Sequence, residues 1–272
     1  MDKPFLIHNT LTHIINKTIT TIKIKRRWLK EADSLAKNIS KDKLPFSIYK
    51  HQLKLIDSTK IEHNQIQNIN LALNKINGII IKPNETFSFC YLIGKPTARK
   101  GYKKGLVTKD GKQITSTDAG LHQLASLINW LCLHSPLTIT NYHFNHNPYK
   151  NIDGPFPFGY NLSIDYNYND FEFKNETNKT FQLIFSIDDF TLNAELKTDK
   201  KPATTYDVYE RNHFFIKKDA KYYQTNELWH LITDGKVNPV RNLITRNVRA
   251  VNYNPPDYID YKFIKYKVEI PK

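Results

Sequence analysis

The chain has 272 residues, 40 Lys+Arg against 26 Asp+Glu, and a formal net charge of +14. Hydrophobic residues at 40% and aromatics at 12% supply a core, which excludes an intrinsically disordered chain. Two cysteines exclude a disulfide scaffold, and no run approaches the roughly 18 apolar residues that a membrane span needs.

The N-terminal stretch MDKPFLIHNTLTHIINKTITTIKIKRRW lacks a secretory h-region and a small-residue cleavage site, so the expected location is the cytoplasm. Lysines are spread along the chain, with a local cluster only at Lys23–Lys30. The charge therefore admits nucleic acid, anionic lipid or an anionic polymer such as cell-wall material, without selecting one.

Residues 1–24 alternate weakly and read as a loose arm. From Lys25 to Lys43, Trp28, Leu29, Ala32, Leu35, Ala36 and Ile39 recur at helical spacing until Leu44-Pro45. Phe46–Ile56 reads as a connector or short strand. A second helix is expected over Glu62–Asn77, with Ile66, Ile69, Leu73 and Ile76 on one face and Gly78 after its end. The period then changes to that of strands at Ile79–Ile81, Thr86–Cys90 and Leu106–Thr108, and Lys109–Lys112 turns the chain into Gln113–Thr115.

A third helix over 120–134 carries Leu121, Leu124, Ala125, Leu127, Ile128, Leu131 and Cys132 as its apolar stripe, and Pro136 closes it. Cys132 on that stripe is expected to be a core thiol. The strand Leu137–Phe144 follows, then a long Pro/Gly/Asn-rich loop over Asn145–Gly159, of the kind that carries function. Strands are expected at Leu162–Tyr168, Phe171–Lys174, Thr180–Ile187 and Thr191–Lys197. After Pro202 come Thr205–Glu210, His213–Lys217, Tyr222–Thr233 and Leu243–Tyr253. The fold class is α+β: N-terminal helices and one central helix packed on a largely antiparallel sheet. The expected division is an arm at 1–24, a domain at 25–199 and a β-rich C-terminal extension at 200–272 packed on the domain.

The chemistry gathers at Asp118–Leu124, a polar loop running into the mouth of the central helix. Free N–H groups and the positive helix end meet there, a geometry that binds anions or activates a thiolate. The titratable residue on the spot is His122, and Asp118 is a suitable N-cap.

Four blocks carry a resemblance: INGIIIKPNETFSF (76–89), LIGKPTARKGYKKGLV (92–107), DAGLHQLASLINWLCLHSPLTIT (118–140) and PFGYNLSIDYNYNDFEFKNET (157–177). In order and spacing they resemble the VanW family, which includes the accessory protein of type-B vancomycin-resistance clusters. The resemblance implies a link to glycopeptide resistance or cell-envelope metabolism. The family motif, three glycines, one variable residue and Cys-Gln opening the central helix, implies a helix-activated thiol paired with a histidine from a neighbouring strand.

This chain departs from that motif. Asp118, Ala119 and Gly120 stand for the three glycines, and His122 for the cysteine, while Gln123 is kept. The arginine position falls on Tyr142 and the histidine position near Asn145, with His143 and His146 on either side. Asn161 replaces one of the glycines after Pro157-Phe158-Gly159. An imidazole does not replace a thiolate, because the positive helix end disfavours its cationic form. The expectation is a VanW-family protein without thiol catalysis.

His122, His143 and His146 are the candidate catalytic groups; Tyr102, Asp118, Gln123, Tyr142 and Asn145 are the candidate binding groups. A capping role is the competing reading for His122. No cysteine or carboxylate completes a metal set beside the histidines, so neither metal nor cofactor is expected. The alternating Tyr166, Tyr168, Phe171 and Phe173 read as strand packing rather than stacking for bases or sugars. Lys95, Arg99, Lys100, Lys103 and Lys104 read as a solvated face or as an anion-binding rim. The expected partner is a cell-wall peptide or anionic polymer. Two other readings stay open: an amide-bond hydrolase or transferase acting through His122 on peptidoglycan-type peptides, and a basic module binding nucleic acid or anionic polymer.

Overall fold

Periodicity sets the helices, and backbone pairing decides where they stop. The computed structural model describes residues 18–55, 60–109, 112–143, 156–166, 168–235 and 238–264. Helix α1 (18–30) turns Ile24 and Trp28 onto the core. It begins earlier and ends sooner than the helix expected over 25–43. The reason lies beyond Lys30: Leu35 bridges Thr86 in parallel, Ala36 N donates to Thr86 O at 2.9 Å, and Ile39 bridges Ile79. Those backbone groups are committed to sheet partners and cannot close a helical turn. Helix α2 (Lys60–Ile76) matches its expected face, with Ile66, Ile69, Leu73 and Ile76 buried.

The strands β1 (Phe46–Lys54), β9 (Thr191–Thr198), β8 (Phe181–Asp188) and β2 (Ile80–Ile81) form one antiparallel sheet in that order. Phe181, Leu183 and Phe185 alternate inward, opposite Leu196 and Ala194. Asp189 and Phe190, both at positive φ, make the two-residue hairpin turn. A second sheet orders β3 (Thr86–Ser88), β7 (Glu172–Lys174) and β6 (Thr138–Asn141). Here the expected strand Thr86–Cys90 stops short. Ser88 accepts Tyr91 N at 3.2 Å and caps helix α3 (Phe89–Ile93). The hairpin of β4 (Gly105–Lys109) and β5 (Lys112–Ser116) has the expected register.

Helix α4 (Leu121–Leu133) is the centre of the fold, buried at every position from Leu124 to Cys132. It packs on α2 on one side and on β1 and β9 on the other. A helix enclosed this way is apolar around most of its circumference. In place of the strand expected over 162–168, Asp165 makes an isolated antiparallel bridge with Asn169. Accordingly the aromatic alternation holds only in part: Phe171 and Phe173 are buried, while Tyr168 is 54% exposed.

The C-terminal part is a ribbon of β12 (Val240–Val251), β11 (Lys221–Thr233), β10 (Thr205–Lys218) and β13 (Ile259–Asp260), in that order. The two strands expected at 205–210 and 213–217 are one, continued through an irregularity at Arg211/Phe214 with Asn212 at φ 52°. Leu228 of the ribbon lies in the main core, and Val208 and Ile244 pack against it.

Candidate functional site

The mouth of α4 is built by close backbone approach. Gly120, not Asp118, is the N-cap, and it adopts φ +87°. A Cβ there would lie 2.8 Å from the Gln65 carbonyl, so α4 starts pressed against α2 and only glycine fits. Asp118 gives its backbone carbonyl to Leu121 N at 3.0 Å. Its Oδ1 is buried and has no hydrogen-bond partner among the described residues. The expected side-chain cap is thus absent because the cap position is displaced to the glycine.

Asn68 locks this corner. Its Nδ2 donates to Lys103 O at 2.9 Å and to Ala119 O at 3.0 Å, and its Oδ1 accepts Lys103 N at 2.8 Å. Two of the sequence blocks quoted above are thereby tied to α2 by one fully buried amide. A polar residue inside the buried face of α2 was the available signal.

His122 is half-buried and faces the segment 160–164. Ile164 N–H donates to its Nδ1 at 3.0 Å, so the neutral ring carries its proton on Nε2. One turn on, Ser126 Oγ donates to His122 O at 2.8 Å and accepts Leu162 N at 2.9 Å. The histidine and the serine together pin α4 to the 160–164 segment.

The remaining candidates do not converge at this mouth. Gln123 is exposed, and Tyr102 is a core residue at 1% exposure whose hydroxyl has no hydrogen-bond partner among the described residues. Burial raises the Tyr102 phenol above its ordinary value. His143 is exposed, and its carbonyl accepts Ser163 N at 2.7 Å, which sets this strand end beside the residue preceding Ile164. Asn145 and His146 lie outside the described residues. Among the described residues, no group of three or more His, Cys, Asp or Glu is set to hold a metal ion.

Neither cysteine is an activated nucleophile. Cys132 is fully buried, and burial pushes its thiol well up. Cys90 is pushed well up by burial and then by Asp170. Both therefore persist as thiols, the inert form.

Tyr142 does line a cavity. About 230 Å3 in volume, it lies between α4, β6 and the ribbon, with Leu133, Leu137, Ile139 and Ile244 in its walls. Asn129 and His230 also line it. Asn129 is 2% exposed, and its Oδ1 finds no partner among the described residues, although its side chain hydrogen-bonds Tyr160. His230 hydrogen-bonds the Leu133 carbonyl, while its buried Nε2 has no partner among them. That bond accordingly uses Nδ1–H, and Nε2 is left as a lone pair, since burial lowers the ring's pKa and keeps it neutral. The cavity thus presents two acceptors inside an apolar shell. In the sequence Asn129 is visible as a second polar residue at helical spacing from His122, after Ser126.

A carboxylate pair sits elsewhere in the fold. Asp170 accepts Ser88 Oγ at 2.6 Å and the Cys90 and Phe171 amides at 2.8 Å each. Glu172, also buried, pairs with Arg27 of α1. Burial, and then the neighbouring Asp170, push Glu172 up to about 7 against the pull of Arg27.

These features define an α+β protein organised around one enclosed helix, with a pinned helix mouth and a small acceptor-lined cavity two turns deeper. Residues 64–197 match the family described as VanW like protein. The sequence is 25% identical to the vancomycin B-type resistance protein VanW of Enterococcus faecalis (strain ATCC 700802 / V583), over 83% of this chain and 85% of that protein. It is 30% identical over 114 residues to the uncharacterized protein YoaR of Bacillus subtilis (strain 168), which covers 41% of this chain and 36% of that protein. No solved structure matches the chain. The resemblance to the VanW family thus lies over residues 64–197.

Proposed function

We propose that this protein serves vancomycin-type glycopeptide resistance or cell-envelope metabolism by holding a small cell-wall peptide group, without catalysis. The observation that carries the reading is the use of His122: its Nδ1 is occupied by Ile164 N–H, which leaves a proton rather than a lone pair on Nε2. A general base needs that lone pair within reach of its substrate. Supporting it further, both cysteines are buried as thiols. The cavity at Asn129 and His230 offers acceptors to an N–H or O–H group carried on an apolar body.

Muramyl dipeptide and its free stem peptide are the probes. The expected result is saturable binding by calorimetry, lost in Asn129→Leu, with no product detectable by mass spectrometry after prolonged incubation. Products released by the wild type and abolished by His122→Ala would overturn the reading in favour of an amide hydrolase or transferase. Absence of binding would overturn it as well.

A second reading, binding of an anionic polymer, draws on one observation. A groove of about 830 Å3 is lined by Lys41, Lys43, Lys50 and Glu195, together with Asn70 and Asn74 of α2 and Asn77 just past its end. Retention on immobilised wall teichoic acid that falls steeply with salt, and falls again in Lys41→Gln/Lys43→Gln, is the expected signature.

A further inference from the structure

Helix α1 has two faces, and among the described residues one of them packs on the core. Inward, Trp28 is buried, Ile24 packs on the core and Arg27 pairs with Glu172. Outward, Ile19 is 46%, Ile22 45% and Leu29 79% exposed, and their spacing of three and seven residues puts them on one stripe. Lys23, Lys25, Arg26 and Lys30 are exposed around that stripe, and residues 18–30 contain no Asp or Glu. Among the described residues no helix is long and apolar enough to cross a membrane.

We propose that the outward face of α1 docks on an anionic lipid surface, lying in the interface with Ile19, Ile22 and Leu29 in the acyl boundary. Charge complementarity selects the partner: cations flanking an apolar stripe match lipid headgroups lying over hydrocarbon. The Arg27–Glu172 pair and Trp28 hold the helix flush against the domain, so it reaches the bilayer as a rigid ridge whose depth is that of its side chains.

Cosedimentation of the full chain with phosphatidylcholine vesicles containing one third phosphatidylglycerol tests this. Binding is expected to the mixed vesicles at low salt and not to pure phosphatidylcholine. Ile22→Gln/Leu29→Gln should weaken partitioning more than about tenfold, and Lys23→Gln/Arg26→Gln about 25-fold, at roughly fivefold per cation. Both pairs are exposed, so unchanged circular-dichroism melts should accompany the loss. No binding to the anionic vesicles overturns the proposal. Equal binding by the Ile22/Leu29 variant also overturns it, since diffuse net charge then suffices. A dimer in sedimentation velocity that this variant dissolves overturns it in favour of a second copy of the chain.

Discussion

Glu172 makes stability fall as pH rises, the reverse of a carboxylate whose folded pKa is depressed by pairing or hydrogen bonds. Its folded pKa of about 7 lies above the ordinary value of 4.5. The folded state therefore binds the proton more tightly than the unfolded chain, and the contribution is fully present below 4.5 and lost as pH rises through 7. A difference of roughly 2.5 units corresponds to about 3 kcal/mol, most of it falling between about pH 5 and pH 8. The side chain is only 9% exposed, so solvent screening removes little of this. Glu172→Gln deletes the titration while keeping a neutral side chain of the same size beside Asp170. Urea unfolding of both proteins at about pH 5 and pH 8 gives the stability difference between wild type and variant. That difference isolates Glu172 from His51, His134 and His230, whose lowered pKa values push the other way. It should shift by about 2–3 kcal/mol against the wild type on going to pH 8. A constant difference refutes the argument. A shift in favour of the wild type shows that the Arg27 ion pair outweighs burial and the Asp170 charge.

Gly120→Ala should cost ~2–4 kcal/mol, because φ +87° and a Cβ 2.8 Å from the Gln65 carbonyl strain the backbone together; a melting temperature unchanged from wild type would contradict this. Gly159→Ala places a Cβ 2.2 Å from Asn247 Cγ, and it should expose the seam where Asn226 and Asn247 both donate to Phe158 O. Faster amide exchange on β11 and β12 than on β8 and β9 is the expected signature. His134, stacked on Tyr49 at 3.7 Å and buried, should titrate near 4 by NMR rather than near 6.5. Its contribution to stability is present above 6.5 and lost as pH falls toward 4.

Legibility in the sequence tracked the range of the interaction. Helix α2 and helix α4 were visible because their apolar faces repeat locally, and the β8–β9 hairpin because it alternates around a short polar turn. The helix expected over 25–43 failed because Leu35, Ala36 and Ile39 are apolar at helical spacing yet are held extended by Thr86 and Ile79. No local pattern carries that competition. Arg27 and Glu172 are 145 positions apart, so their pairing had no signal in either segment. At the candidate site, the place of His122 in the first turn of the central helix was legible, but the assignment of the cap to Asp118 overlooked how closely Gly120 approaches α2.

The face of α4 that carries His122, Ser126 and Asn129 orders its polar atoms by depth. At the mouth, His122 Nδ1 and Ser126 Oγ are taken up by the Ile164 and Leu162 amides, so that end of the helix is held in place by its polar groups. Two turns in, Asn129 Oδ1 and His230 Nε2 are buried and unmatched among the described residues, which is costly in an apolar wall unless a donor arrives. On the reading proposed above, a fold that satisfies its helix mouth and leaves acceptors unmet in the adjoining cavity is suited to recognition at depth. A hydrogen-bonded histidine at position 122 is in keeping with that proposal, in which the scaffold serves binding. It also shifts the position worth mutating first from His122 to Asn129.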